Sequence, residues 1–273
     1  MGKLQDDTRL ETRDGKFVAS LHRDWEIWGP NGGYVASIAL RAAGLAAPPG
    51  HRPATASVQY LAVAQFGEIT AEVEPVRQGR NAWCLNVALV QDGKRFLQAQ
   101  VWTTNKTDGP ASAEIAMPQV PGPDGLKTVE ELLPADAPRS RFWSNLQSKP
   151  VKWIPWGESD PRGAMQEQWY RFPLFESGGN PFVACMQPLL LIDTLIWPTW
   201  HRIDRAGAEY IAPSLDVTAW FHDVPRDSAW LLMEVHTGTA NAGLIHGTAR
   251  VWSEDGRLLA TGGSQLLVTP TKR

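Results

Sequence analysis

Cysteine is scarce in this 273-residue chain: only Cys84 and Cys185 occur. Two thiols cannot build a disulfide framework. Both lie in apolar surroundings, NAWCLNV and FVACMQP, where a thiol packs as a small hydrophobe. An excess of one charge sign is also lacking. Lys and Arg number 26 against 29 Asp and Glu, for a formal net charge of -3. The basic residues are scattered and form no stripe, so nothing draws the chain toward nucleic acid. No HExxH, paired CxxC, GxxxxGK[ST] or GxGxxG is present, which removes the usual metal and nucleotide cradles. Histidines 22, 51, 201, 222, 236 and 246 show no ligand spacing. A GxSxG nucleophile elbow is missing too, because GGSQL lacks the closing glycine.

Targeting signals are equally sparse. The opening MGKLQDDTRLETRDG is polar throughout and has no apolar centre of a secretory signal. Asp6 stands where N-myristoylation needs Ser or Thr. The longest apolar run of the second half is broken by Asp193 and reads as too short to span a bilayer. The expectation is a cytoplasmic protein with no metal, no organic cofactor and no nucleic-acid or membrane partner.

What is present is repetition. Residues 54–104 alternate like four antiparallel strands, ASVQYLAVAQ, GEITAEVEPVRQG, NAWCLNVALVQDG and KRFLQAQVWTT, separated by Gly-containing turns. They follow an apolar helical run at 34–47. The second half repeats that order: a helical run at 184–203, then PSLDVTAWFHDV, SAWLLMEVHTG, AGLIHGTARVWSEDG and RLLATGGSQLLVTP. Asp92-Gly93 and Asp255-Gly256 occupy equivalent hairpins. A leading strand precedes each helix, at 17–27 and 167–172. An internal duplication of roughly 160 residues follows, with a Pro- and Gly-rich connection carrying one short helix at 129–133. A long apolar helix must bury itself against a twisted antiparallel sheet. The fold class is therefore α+β, a double hotdog of two helix-plus-antiparallel-sheet repeats: residues 1–105, a linker at 106–148, and residues 149–273.

The stretch WGPNGGYVAS, residues 28–37, places two glycines at a helix start, where they cost backbone entropy. Taken alone it is either a chain reversal with Asn31 as helix cap or a close backbone approach to a ligand. The segment WEIWGPNGGYVASIALRAA, the four strands after it and the pattern SLDVTAWFHD … WLLMEVHTGT … EDGRLLATGGSQLLV together resemble the type II acyl-CoA thioesterase family. The resemblance covers both halves and omits the linker. It implies hydrolysis of an acyl-CoA thioester to a carboxylic acid and CoA, with the thioester bound near Asn31, Gly32 and Gly33. It also implies a catalytic acid at Asp216, a carboxamide at Gln265 and a hydroxyl on the strand between them. The usual hydroxyl position falls on Gly238, leaving Thr237 and Thr239 as flanking candidates; a bulge there would re-aim either.

The first-half counterparts of Asp216 and Gln265 fall near Ser57 and Trp102, neither an acid nor an amide, so one site per chain is expected. Asp193, the odd charge in LLLIDTLIW, is read as bonded to a backbone group or an Arg, or else as facing the interface between the halves. Other readings are a non-catalytic acyl-CoA binder that lost its hydroxyl, and an enoyl-CoA hydratase or dehydratase. Sheet edges that pair readily suggest a homodimer or higher homo-oligomer.

Overall fold

The computed structural model describes residues 1–112, 114–155, 158–203, 210–227 and 229–270. In the first half, helix α1 (Leu4–Asp7) and strands β1 (Glu11–Arg13) and β2 (Lys16–Leu21) precede helix α2 (Gly32–Ala46). Strands β3 (Arg52–Tyr60), β4 (Gly67–Gln78), β5 (Ala82–Gln91) and β6 (Lys94–Thr104) follow. Helix α2 begins at Gly32, two residues ahead of the apolar run, because Asn31 caps it: the Asn31 side chain accepts the Tyr34 N–H at 2.9 Å. Asp92 and Gly93 both take positive φ, 50° and 74°, the geometry that joins two twisted strands by two residues.

The connection contains helix α3 (Val129–Leu132), closed by a capping box between Thr128 and Glu131. Strands β7 (Gln147–Pro150) and β8 (Met165–Arg171) open the second half. Helices α4 (Pro181–Ala184) and α5 (Met186–Trp200) come next. The sheet strands are β10 (Asp216–Phe221), β11 (Leu231–Asn241), β12 (Leu244–Ser253) and β13 (Leu258–Leu267), while β9 (Tyr210–Ile211) pairs with β14 (Thr269–Pro270) as a small separate sheet.

Twelve strands form one antiparallel sheet in the order β1-β2-β4-β5-β6-β3-β10-β13-β12-β11-β8-β7. The two repeats meet at β3 and β10, where Ser57 pairs with Thr218 and Gln59 with Asp216. The sequence makes Ser57 the counterpart of Asp216, and with that match the repeat exchanges these two pairs. The sheet register corrects one sequence assignment: opposite Ser57 stands Gln100, whereas Trp102 lies two pairs along, opposite Thr55. The first half thus has an amide at this level but still no acid.

Helices α2 and α5 run antiparallel through the centre. Ser37 reaches the Met186 carbonyl at 3.4 Å, and Asn31 Nδ2 donates to Thr194 Oγ1 at 3.1 Å. The segment Pro181–Trp200 has 20 residues and a mean hydropathy of 1.4, enough by length and composition to cross a membrane. The sequence alone, with Asp193 interrupting the run, predicts a stretch too short to span. The burial decides instead: 89% of its most apolar window lies inside the fold, as the core helix of the second repeat. The connection crosses the outer face of the second half, where Met117, Val120 and Leu126 cover Trp169, Trp230 and Trp252.

Candidate active site

The site is built where the two repeats join. Strand β10 begins with Asp216, and at that point the ladder to β13 slips by one residue. Thr218 stands opposite Gly263, but Ser214 bridges to Leu266. Leu215 still donates its N–H to the Gln265 carbonyl at 2.7 Å. The Gln265 N–H, displaced from the regular ladder, donates to Asp216 Oδ1 at 2.9 Å. Ser264 closes the corner, its hydroxyl donating to the Asp216 carbonyl at 2.6 Å. An irregularity of this kind re-aims side chains, and here it joins the acid and the amide-bearing residue that the sequence singled out.

Strand β3 connects this corner to α2. The Tyr60 N–H donates to the Leu215 carbonyl at 2.9 Å. The Tyr60 ring lies beneath the start of α2: a Cβ at position 32 would meet Tyr60 Cζ at 3.1 Å and its hydroxyl at 3.2 Å. The same Cβ would fall 2.7 Å from Asp193 Oδ2 of α5. Residues 31–33, Tyr60, Asp193, Asp216 and the Gln265 backbone therefore share one corner, with α2 from the first half and the strand residues Asp216 and Gln265 from the second. Asn31 contributes twice, capping α2 and bonding across to Thr194. The Gly32 N–H, one of the unsatisfied donors of a helix first turn, has no acceptor among the described residues. Gly33 serves a different contact: a Cβ there would lie 2.6 Å from Leu190 Cα, so its bareness lets α2 close onto α5.

Asp193 is the residue the sequence reading left between a structural role and a functional one. It is 5% exposed, and its Oδ1 has no hydrogen bond. No Arg reaches it. Burial pushes the carboxyl up to about 6; the Ser214 and Tyr60 hydroxyls and the Gly33 N–H oppose that rise, and the Asp216 charge adds to it. Burial, followed by the Asp193 charge, raises the Tyr60 phenol well above its ordinary value. The two groups are close enough to perturb each other, yet the phenol oxygen also lacks a hydrogen bond of good geometry. Tyr60 and Ser214 were missed in the sequence. The one signal that pointed here was a lone carboxylate in an apolar helix.

The threonines are not brought to this corner. Strand β11 does carry an irregularity between His236 and Thr239, and it splits the two hydroxyls. Thr237 is fully buried and donates to the Ile196 carbonyl of α5 at 3.2 Å, while Thr239 is exposed opposite His246. Strand β12 separates β11 from β13, so both threonines stand about 10 Å from Gln265 by strand spacing. Among the described residues no group of three or more His, Cys, Asp and Glu is arranged to hold a metal ion.

Comparison with known proteins bears on the same two halves. A family model for the acyl-CoA thioesterase N-terminal domain matches residues 21–104, and one for the acyl-CoA thioesterase C-terminal domain matches residues 110–268. Among solved structures, the acyl-CoA thioesterase II TesB2 of Mycobacterium marinum superposes with a TM-score of 0.81 at 19% identity, covering 98% of this chain and 99% of the other. The tesB protein of Mycobacterium avium subs paratuberculosis gives 0.79 at 19% identity, with 98% of each chain covered. A conserved protein of unknown function with hot dog fold from Alicyclobacillus acidocaldarius gives 0.77 at 22%, again over 98% of each. At these identities the superpositions establish the fold, a hotdog unit repeated within one chain.

Proposed function

The chain belongs to the acyl-CoA thioesterase family, and we propose that it hydrolyses its acyl-CoA with a water held between Asp216 and Gln265 while the thioester oxygen rests at the start of α2. Asp216 takes a proton from the water as the oxygen attacks the thioester carbon. The Gln265 carboxamide orients that water without adding charge. Negative charge develops on the carbonyl oxygen, and the open Gly32 N–H donates to it. Collapse of the tetrahedral species breaks the C–S bond, and the leaving CoA sulfur regains the proton from Asp216. A carboxylic acid and CoA result.

One observation carries the reading: the Gln265 backbone N–H donates to Asp216 Oδ1 at 2.9 Å, in the corner that also holds the free helix start. Alignment outweighs the helix field here. A well-aimed oxyanion donor contributes about 3 kcal/mol, against ~0.3 to 1 kcal/mol for the helix dipole near its end. Neither threonine hydroxyl enters this scheme, which departs from the resemblance at the position of Gly238. The test is Asp216→Ala, followed by thiol release from a panel of acyl-CoAs from acetyl to palmitoyl. A general base contributes at least about 100-fold, so the expected loss is of that order, with the fold intact by circular dichroism. Unchanged thiol release would end the mechanism. A cytoplasmic setting and assembly into a homodimer or higher homo-oligomer belong to the same proposal.

A further inference from the structure

The buried pair Asp193 and Tyr60 is not used by the mechanism above, yet it lies against the atoms that the mechanism needs. The Asp193 carboxylate is faced by the Gly33 N–H from α2, the Ser214 hydroxyl and the Tyr60 phenol. Its Oδ2 stands 2.7 Å from where a Cβ on residue 32 would be. Gly32 is thus bare partly because this carboxylate fills the space beside it. Both Asp193 Oδ1 and the Tyr60 hydroxyl lack a hydrogen bond, although both atoms are out of contact with solvent. A core built for stability alone does not keep two unsatisfied polar atoms side by side. Leu, the residue on either side of this turn at positions 190, 191 and 195, would fill the space at no such cost.

We propose that Asp193 is a positioning residue for thioester hydrolysis: its carboxylate stands against the Gly33 N–H and the Tyr60 phenol, and so holds the first turn of α2 with the Gly32 N–H aimed at the thioester oxygen. This rests on the reading that the start of α2 receives that oxygen. The ionised form is the one that attracts the N–H and O–H dipoles facing it. The groups facing Asp193 that titrate or carry charge are Tyr60 from β3 and Asp216 from β10; α2 presents only Asn31 and backbone amides. Because burial has raised the carboxyl to about 6, the aligned state is fully present above that pH and is lost as pH falls through it.

The experiment measures kcat, KM and the pH profile of full-length Asp193→Asn, Tyr60→Phe and Asp216→Asn, using the acyl-CoA that the wild-type protein turns over fastest. Asp193→Asn is expected to lower kcat roughly 10- to 100-fold, a fraction of what a lost oxyanion donor costs, with KM changed less than about threefold, since the interaction matters in the transition state. The acidic limb near pH 6 should vanish in this variant. Tyr60→Phe should lower kcat in the same direction and keep the limb. If Asp193→Asn matches wild type in kcat and limb while Asp216→Asn is inactive, the positioning role is wrong and the hydrolytic reading stands. If Asp216→Asn is also fully active, the hydrolytic reading fails and takes this proposal with it. Should Asp193→Asn not fold, Tyr60→Phe decides: a wild-type kcat overturns the proposal, and a lowered one with unchanged melting temperature upholds it.

Discussion

Gly32 and Gly33 are chain neighbours that lack side chains for different reasons. A methyl at 33 would meet backbone, Leu190 Cα at 2.6 Å and its carbonyl oxygen at 2.7 Å, and backbone cannot step aside. Gly33→Ala is therefore expected to force α2 and α5 apart and cost about 1 to 3 kcal/mol or more, read as a lowered urea midpoint. A methyl at 32 would meet side-chain atoms, Asp193 Oδ2 and the Tyr60 ring, which can turn away at smaller cost. Gly32→Ala should lose more activity than stability. Wild-type kcat in Gly32→Ala would contradict the site. From the sequence both glycines read alike, as room for a ligand. The repeat, the turn and the cap of Asn31 were legible because each is a short-range pattern, whereas the contact that separates 32 from 33 comes from a helix about 160 positions later.

Among the elements, α5 is tied down just past its C-terminal end by a polar anchor. Arg202, just after its last turn, bonds Asp160 Oδ2 at 3.0 Å, and Arg162 bonds the same oxygen at 3.1 Å while reaching Glu167 of β8. The Asp160 side chain is fully buried. Burial would raise its carboxyl, but hydrogen bonds from Arg162 and Arg202 outweigh that and hold it well below the usual range. Removing the charge takes the carboxylate from Arg202, whose side chain is 13% exposed, and from the more open Arg162 and Lys152, so Asp160→Asn is expected to cost about 1 to 3 kcal/mol at pH 7. A depressed folded value means this stability is present above the ordinary carboxylate range, near pH 4, and fades as pH falls below it. The gap between wild type and Asp160→Asn in denaturant midpoint should thus narrow from pH 7 to pH 3; a constant gap would rule out the charge as its source. Strand β11 supplies a milder case. Thr237 donates to the Ile196 carbonyl, so Thr237→Ala should cost about 1 kcal/mol, while Thr239→Ala, at an exposed position, should leave stability unchanged. The sequence placed both threonines on one side of a regular strand and named Gly238 as a bulge site. The bulge is present, and it separates them, a result that strand alternation cannot forecast because one inserted residue reverses every side chain after it.

For the whole molecule, duplication has produced an asymmetric pair. The counterpart of Asp216 is Ser57, which donates no base, and the helix of the second half starts Asn180-Pro181-Phe182 in place of Asn31-Gly32-Gly33. Pro181 has no N–H to offer and Phe182 fills the space beside Gly44 of α2, its ring 2.5 Å from where a Cβ would sit. One equivalent of a non-hydrolysable acyl-CoA thioether per chain is therefore expected by calorimetry; two equal sites would refute the asymmetry. The second half wears a cover on its outer sheet face, where Trp169 Nε1 donates to the Pro121 carbonyl at 2.9 Å.

The residues by themselves determined the order of helix and strands in each half, the Asn31 cap and the Asp-Gly hairpins, because periodicity, caps and turns act over a few positions and leave their mark in neighbouring letters; Asp216 and Gln265 stood out only through the family resemblance. The tertiary structure alone decided that a one-residue slip between β10 and β13 hands the Gln265 N–H to Asp216, that Gln100 and not Trp102 answers Gln265, and that Asp193 and Tyr60 meet beneath Gly32. Those contacts depend on how two separate registers and one helix crossing add together in space, and no local stretch of the chain contains that sum.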